Sequence, residues 1–197
     1  MNKKVPTTIQ EKENYIAEEE WSKNMYEVDR KDKVIELTNI PQSSVGAPLP
    51  IVIADEHNVI IAFILQNTPE SWDGTTIRVV GINSDKESIA IVKFEHCSSH
   101  MFGPPNDEAF SGHPLASRGL NPYSYFEIQN SSWIRKLEKM NSIHPYHNKE
   151  RYMEKKKHYI FSFHDSTFEC IAHGYNLEVI NGSMKMAMEI IVDKFVD

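Results

Sequence analysis

The side chains that could take part in chemistry are concentrated between His96 and Pro122. This segment holds three histidines, two acids, a cysteine and an arginine among three glycines and four prolines: His96, His100, His113, Asp107, Glu108, Cys97 and Arg118. The glycines and prolines interrupt the strand pattern before them, so we expect an irregular loop. A connection this long inside a compact domain usually binds or covers something. We therefore expect the loop to pack over one end of a sheet and to line a polar pocket.

Acid–base chemistry is one possibility, because histidine and carboxylate side chains exchange protons near neutral pH. His164 lies at the end of a predicted strand, away from the aromatic face, and could point at the carboxylates of the loop. The candidate catalytic residues are His113, His164, Asp107 and Glu108. The simpler interpretation of His164 is a solvated strand-end residue. The simpler interpretation of the two acids is the first turn of a helix capped by Asn106.

Other residues of the loop could bind a ligand without reacting with it. The segment from Pro114 to Gly119 has the pattern of a single helical turn, with proline first and glycine last. The free amides of such a turn, beside the ring of His113, could hold an anionic or carbonyl group, with Arg118 near the other end. The predicted ligand-binding residues are His100, Ser117 and Arg118. A purely structural turn explains the same pattern.

Neither a metal site nor a cofactor is predicted. His96 and His100 are four residues apart, a spacing that brings two imidazoles together on a helix. In extended chain, four residues span about 13 Å, which is too far for two ligands of one ion. The sequence has no phosphate-binding loop or dinucleotide-binding pattern. Cys97 and Cys170 are too few for a disulfide framework, and Cys170 shares a strand face with Phe168 and Ala172, as a small buried core residue does.

The composition excludes some classes of partner. The chain has 197 residues and a formal net charge of -7, whereas nucleic-acid binding needs a concentrated positive surface. The basic run from Arg151 to His158 could be a local anion patch, but a solvated connection or the approach to a strand fits it better. The longest apolar run, Val59 to Leu65, is far shorter than the roughly 20 residues that span a membrane. The N-terminus does not resemble a signal peptide, so we expect a cytoplasmic protein with free thiols.

The N-terminal 30 residues are expected to form a helical arm. Thr8 and Glu11 have the spacing of a capping box, and the residues up to Met25 are rich in helix formers. The apolar residues of this helix spread over a wide arc, so it could dock loosely on the body or form a homodimer contact. Residues 31–197 are predicted as a single domain.

After this arm the sequence has the alternation typical of strands. Val59 to Leu65 is apolar on both faces, which predicts a central strand covered on both sides. The predicted strands are Val34–Thr38, Leu49–Ala54, Val59–Gln66, Thr76–Gly81, Ser88–Glu95, Tyr123–Gln129, Tyr159–Phe163, Thr167–Ala172 and Leu177–Ile180. A mid-chain helix is predicted to begin at Ser131 or Ser132 and to end before His144.

The C-terminal segment fits two patterns. Alternate residues from Met184 to Val192 are apolar, as in a strand, whereas Met184, Met188 and Ile191 have helical spacing. Asn181-Gly182 between two apolar runs is a strong signal of a two-residue hairpin turn, which favours a strand from Ser183 to about Val192. The predicted fold is therefore α+β. It has a mostly antiparallel sheet of about seven to nine strands that ends in a C-terminal hairpin, an N-terminal helix and one mid-chain helix.

Two functions remain open. In the first, the protein binds a small molecule or a peptide in the polar, histidine-rich pocket of the loop. In the second, it is an acid–base enzyme of hydrolase or lyase type that uses the same pocket, with His113 or His164 as the base. A loop carboxylate would then be the partner of that histidine, and Arg118 would hold an anionic substrate. Binding is slightly favoured, because an enzyme needs a perturbed titrating pair as well as a concave site.

Overall fold

The computed structural model describes residues 26–67 and 79–196. These residues form nine strands, β1 (Lys33–Glu36), β2 (Ile51–Ala54), β3 (Val59–Ile64), β4 (Glu87–Glu95), β5 (Ser99–Gly103), β6 (Tyr125–Gln129), β7 (Lys157–Ser162), β8 (Thr167–Ala172) and β9 (Gly174–Gly182). They also form three helices, α1 (Ser132–Asn141), α2 (Lys149–Met153) and α3 (Met184–Val196), and the 3-10 turns Phe110–Gly112 and Ala116–Arg118. The predicted N-terminal helix, its homodimer contact and the first half of the predicted strand Thr76–Gly81 lie outside the described residues. The second half, residues 79–81, does not form a strand.

The strands belong to two antiparallel sheets. Sheet 1 has five strands in the order β1-β6-β7-β8-β5, and sheet 2 has four in the order β2-β3-β4-β9. The chain passes from sheet 2 to sheet 1 between β4 and β5 and returns between β8 and β9. At these crossings the Ser98 N–H donates to the Ile171 carbonyl and the His173 N–H donates to the Glu95 carbonyl, both at 2.8 Å. The two crossings therefore lie side by side at one end of the sheets.

The sheets pack face to face, and helices cover their outer faces. Between the sheets, the Phe94 ring centroid lies 5.5 Å from that of Phe161 and 5.3 Å from that of Phe168. Helix α1 packs on the outer face of sheet 1. Helix α3 packs on the outer face of sheet 2. No helix among the described residues is long and apolar enough to cross a membrane.

The predicted central strand is confirmed. All six residues of β3 are buried, because Ile61 and Phe63 pack between the sheets while Ile60 and Ala62 pack under α3. Burial on both faces explains why this strand is apolar without alternation. The mixed helix-and-sheet class and the antiparallel pairing are also confirmed, as is the mid-chain helix. Ser131 caps that helix by accepting a hydrogen bond from the Ile134 N–H at 3.3 Å.

The predicted C-terminal hairpin is wrong. Asn181 and Gly182 do not form a turn but end strand β9, where they pair with Ser88 and Glu87 of β4. Ser183 then caps helix α3, because its hydroxyl accepts a hydrogen bond from the Met186 N–H at 3.2 Å. The segment forms a helix and not a strand, because the helix buries Met184, Ala187 and Ile191 on the outer face of sheet 2. A strand would have left that face uncovered.

The segment from His96 to Pro122 is more regular than predicted. Its first part forms β5, which pairs with β8 at the edge of sheet 1. Its last part contains the predicted turn, Ala116–Arg118, which ends at Gly119 with the left-handed φ of 103° that glycine tolerates. Helix α2 is a further element that the sequence did not predict, since the basic run there was interpreted as a connection.

Candidate functional site

Asp107, Tyr123 and His164 form a cluster at the surface. His164 follows β7 at the start of the turn to β8, and its carbonyl accepts a hydrogen bond from the Asp107 N–H at 2.9 Å. A second link joins the same segments, because the Thr167 hydroxyl donates to the Pro105 carbonyl at 2.8 Å. These two contacts hold the loop against the β7–β8 turn and so fix Asp107 beside His164.

The hydrogen bonds of this cluster define which nitrogen of His164 carries a proton. The Tyr123 hydroxyl donates to Asp107 Oδ2. His164 Nδ1 lies 3.0 Å from Asp107 Oδ2 and 3.0 Å from the Tyr123 oxygen. Because the tyrosine proton is already donated, both neighbours of Nδ1 are acceptors, and Nδ1 must be the donor. In the neutral imidazole the lone pair is therefore on Nε2.

The pKa values of the three groups shift in the directions that this geometry requires. The hydrogen bond from Tyr123 is the largest cause of the lowered pKa of Asp107, and burial opposes it while His164 adds to it. The hydrogen bond to Asp107 raises the pKa of His164 above 6.5. The same carboxylate raises the pKa of Tyr123 to about 12. The cluster is thus a coupled acid–base group in which Asp107 stays ionised and Tyr123 stays protonated.

The free nitrogen of His164 is accessible to solvent. Its side chain is 42% exposed, against 17% for Asp107. The nearest acidic group to Nε2 is Asp165, whose Oδ1 lies 3.9 Å away, beyond hydrogen-bond distance. The exposed Glu108 contributes to the raised pKa of His164 through its charge. His164 can therefore take a proton from a molecule that approaches its Nε2, while Asp107 orients the ring and stabilises the imidazolium.

His113 does not join this cluster. It is buried and its Nε2 lies 2.8 Å from Oε1 of Glu169, a residue of β8. Its Nδ1 accepts a hydrogen bond from the Leu115 N–H at 3.1 Å, so its Nε2 carries the proton that Glu169 accepts. The role predicted for His113, a base beside the loop carboxylates, does not fit this burial.

Glu169 is the centre of a buried network on the outer face of sheet 1. Its second oxygen, Oε2, accepts hydrogen bonds from the Tyr26 hydroxyl and from His158 Nε2, both at 2.9 Å. The Ser131 hydroxyl lies 2.9 Å from His158 Nδ1 and donates to it in the neutral ring, because His158 carries its proton on Nε2, which donates to Glu169. Burial alone would raise the pKa of Glu169, but the hydrogen bonds from His113 and His158 lower it to about 2.

This network links distant parts of the chain. It joins the loop through His113, strand β7 through His158 and the start of α1 through Ser131. The ring of Tyr26 also stacks on Trp133 with 5.7 Å between centroids and an interplanar angle of 2°. None of these polar side chains reaches solvent, so the network stabilises the fold and does not form an open site.

Of the three residues predicted to bind a ligand, Ser117 and Arg118 are neighbours in one 3-10 turn, whereas His100 lies on strand β5. Arg118 donates from Nη1 to the Asp32 carbonyl at 3.0 Å and so ties the loop to the segment before β1. Ser117 is exposed in the same 3-10 turn. His100 is exposed on the edge strand β5, opposite Cys170. The predicted cradle of His113 and Arg118 is therefore occupied by protein groups.

Two important residues were not predicted. Glu169 had a signal in the sequence, because it is the only charged residue in an otherwise uncharged strand, and a buried carboxylate needs partners. Tyr123 had no local signal, since its contact with Asp107 depends on how the loop folds. Both cysteines are buried with free thiols. Within residues 26–67 and 79–196, no three histidine, cysteine or acidic side chains come close enough to hold a metal ion.

Comparisons of the chain with protein-family models, with curated proteins and with solved structures found no match.

Proposed function

We propose that the protein is an acid–base enzyme of hydrolase or lyase type, with His164 as the general base and Asp107 as its partner. One observation supports this most directly: Nδ1 of His164 donates to an ionised carboxylate while Nε2 is open to solvent. This is the arrangement by which a carboxylate fixes the tautomer of a catalytic imidazole and stabilises the positive charge that forms on it.

Tyr123 is a positioning residue in this proposal. Its hydroxyl donates to the carboxylate oxygen that His164 also contacts, so it keeps Asp107 in place and ionised. Glu108 is exposed and close in sequence, and its charge adds to the field that favours the imidazolium form. The buried His113 anchors the loop to strand β8 through its hydrogen bond to Glu169, and it takes no part in proton transfer.

The test is the hydrolysis of 4-nitrophenyl acetate, a simple activated ester, by the purified protein. We expect the rate to rise with pH through an apparent pKa above 6.5, because Asp107 raises the pKa of His164. We expect His164→Gln to lower the rate at least about tenfold, a modest share of the 10² to 10⁴ that general bases contribute. His57→Gln is the matched control, since His57 is an exposed histidine in a hairpin loop without an Nδ1 carboxylate contact.

The proposal fails if His164→Gln slows the reaction no more than His57→Gln does. The second candidate function is ligand binding without turnover, and the raised pKa of His164 favours it, because an exposed imidazolium can bind an anionic group of a small molecule or peptide. Saturable shifts of the His164 ring signals in NMR titrations with acetate, together with no esterase activity, would support binding instead.

A further inference from the structure

A second group of polar side chains lies where the chain crosses between the two sheets. A cavity of about 500 Å³ opens there, lined by Glu95, His96, Glu154, Lys155, Lys157 and His173. Strand β8 runs from the turn that holds His164 to His173, so the cavity lies at the opposite end of that strand. It shares no residue with the Asp107–Tyr123–His164 cluster, and the inference below does not depend on the function proposed for that cluster.

Two imidazoles meet in this cavity. His96 has a left-handed backbone φ of 49°, which non-glycine residues seldom adopt, at the point where the chain leaves β4. This conformation places its ring centroid 4.9 Å from that of His173, the residue at the return crossing. Two imidazoles this close disfavour each other's protonation unless a negative charge lies near both.

Two of three consecutive lysines, Lys155 and Lys157, line the cavity with the two histidines. Within the described part of the chain, Lys155 has no ion-pair partner, and it lies in the cavity wall. Lys156 does not line the cavity; its ammonium donates to the Ser98 hydroxyl at 3.1 Å and lies 4.7 Å from the Tyr152 ring centroid. Lys157 is paired with Glu127 at 3.2 Å. Lys155 is therefore the lysine that is available to a ligand.

Two carboxylates, Glu95 and Glu154, also line the cavity. Glu95 Oε1 accepts a hydrogen bond from the Asn176 amide at 2.9 Å, and its other oxygen lies against Gly174. Glu154 is exposed at the end of α2. Burial lowers the pKa of His173, and the charges of His96, Lys156 and Lys155 lower it further, against the smaller opposite effect of Glu95. The neighbouring cationic groups therefore outweigh Glu95 in their effect on the pKa of His173.

We propose that this cavity binds a phosphate group through Lys155, His96 and His173. A phosphate dianion beside both rings would allow both to be protonated, and each would then donate a charge-assisted hydrogen bond to a phosphate oxygen. Lys155 would add a third donor. The ligand is either inorganic phosphate or the phosphomonoester of a small molecule, since both present the same dianionic group.

The experiment is an NMR titration of the histidine ring signals with sodium phosphate, using sodium chloride at matched ionic strength as the reference. The signals of His96 and His173 are assigned with His96→Gln and His173→Gln. We expect both signals to shift saturably as phosphate is added. We also expect phosphate to bind more tightly at lower pH, because the anion favours the protonated rings. A parallel titration with phenyl phosphate distinguishes the two ligand sources. If phenyl phosphate binds more tightly than inorganic phosphate, the ligand is a monoester; if it does not, the ligand is inorganic phosphate.

Lys155→Gln and Lys139→Gln form the matched pair of variants. We expect Lys155→Gln to weaken phosphate binding at least about tenfold, the loss that follows from removing one charge-assisted hydrogen bond. Lys139 is exposed on α1, so its substitution should leave binding unchanged. Both lysines are exposed, so urea unfolding curves should show that both variants fold normally. The proposal is wrong if chloride produces the same shifts as phosphate, or if the two lysine variants bind phosphate equally well.

Discussion

Replacing Glu169 with glutamine tests whether the buried network stabilises the fold as its geometry indicates. Glutamine has the shape of glutamate but carries no charge, and its amide group presents N–H donors to a site where the partners are donors already. These partners are His113, His158 and Tyr26. At least one of them would lose its acceptor in the buried interior, where an unsatisfied group costs about 1 to 3 kcal/mol.

The size of the effect follows from the pKa of the carboxyl group. The pKa of Glu169 falls from its usual 4.5 to about 2 in the folded protein. Each pKa unit corresponds to about 1.4 kcal/mol, so the ionised carboxylate contributes about 3 kcal/mol to the free energy of unfolding at neutral pH. This is a large share of the roughly 5 to 15 kcal/mol that a folded domain has in total. We expect Glu169→Gln to lose about 3 kcal/mol at pH 7.

The pH dependence has a definite sign. Because the folded pKa is lower than the unfolded one, the contribution of Glu169 is complete above pH 4.5 and is lost as the pH falls toward about 2. The difference in stability between the wild-type protein and Glu169→Gln should therefore shrink to about half by pH 3. Trp133, which stacks on Tyr26 beside the network, provides a fluorescence signal for urea unfolding at both pH values.

Glu127→Gln is the control for this experiment. Glu127 lies in the same sheet but is partly exposed and pairs with an exposed lysine, Lys157, at 3.2 Å. Exposed ion pairs contribute about 0 to 1 kcal/mol, so this variant should unfold almost like the wild-type protein. A loss below about 1 kcal/mol for Glu169→Gln, or a difference that does not shrink on acidification, would refute the role assigned to the charged network.

Two further predictions concern the cluster and the core. Asp107→Asn should lower the pKa of His164 toward 6.5 in an NMR titration, because it removes the largest cause of the raised value; a pKa that does not move would mean that another group raises it. The raised pKa also means that protonated His164 stabilises the fold fully below pH 6.5, and that this contribution is lost as the pH rises through the folded value. Cys170→Ser should cost about 1 to 3 kcal/mol in thermal or urea unfolding, because it buries a hydroxyl in an apolar core. Cys170→Ala is the comparison without the hydroxyl, and equal losses for the two variants would argue that volume alone matters.

Most strands could be predicted because their local signals agree with their surroundings. The alternation of Ser88–Glu95 and the uninterrupted apolar run in β3 each indicate which faces are buried. The C-terminal segment shows the limit of this approach. Asn181-Gly182 is a local turn signal, but burial of Met184, Ala187 and Ile191 of α3 on the outer face of sheet 2 is a tertiary effect that outweighs it.

The candidate site was predictable only in part. The pairing of His164 with a loop carboxylate was anticipated from the face of a strand, and the structure places Asp107 there. His113 was assigned to the same group because it is a histidine in the same loop. Its actual partner, Glu169, lies on a strand 56 residues further along the chain, and no local pattern indicates that contact. Residues joined across a sheet can be grouped correctly only once the register of the strands is known.

Strand β8 separates two surfaces of opposite electrostatic character. At its beginning lies His164, whose pKa is raised by its hydrogen bond to Asp107 and by nearby acids. At its end lies His173, whose pKa is lowered by burial and by the charges of His96 and two lysines. The six residue-to-residue steps of extended chain from Thr167 to His173 span about 20 Å, which is well beyond the screening length of about 8 Å at physiological salt. The strand is also paired on both sides, with β7 and β5. The two histidines should therefore titrate as thermodynamically independent groups, and substitutions at the two ends should have additive effects.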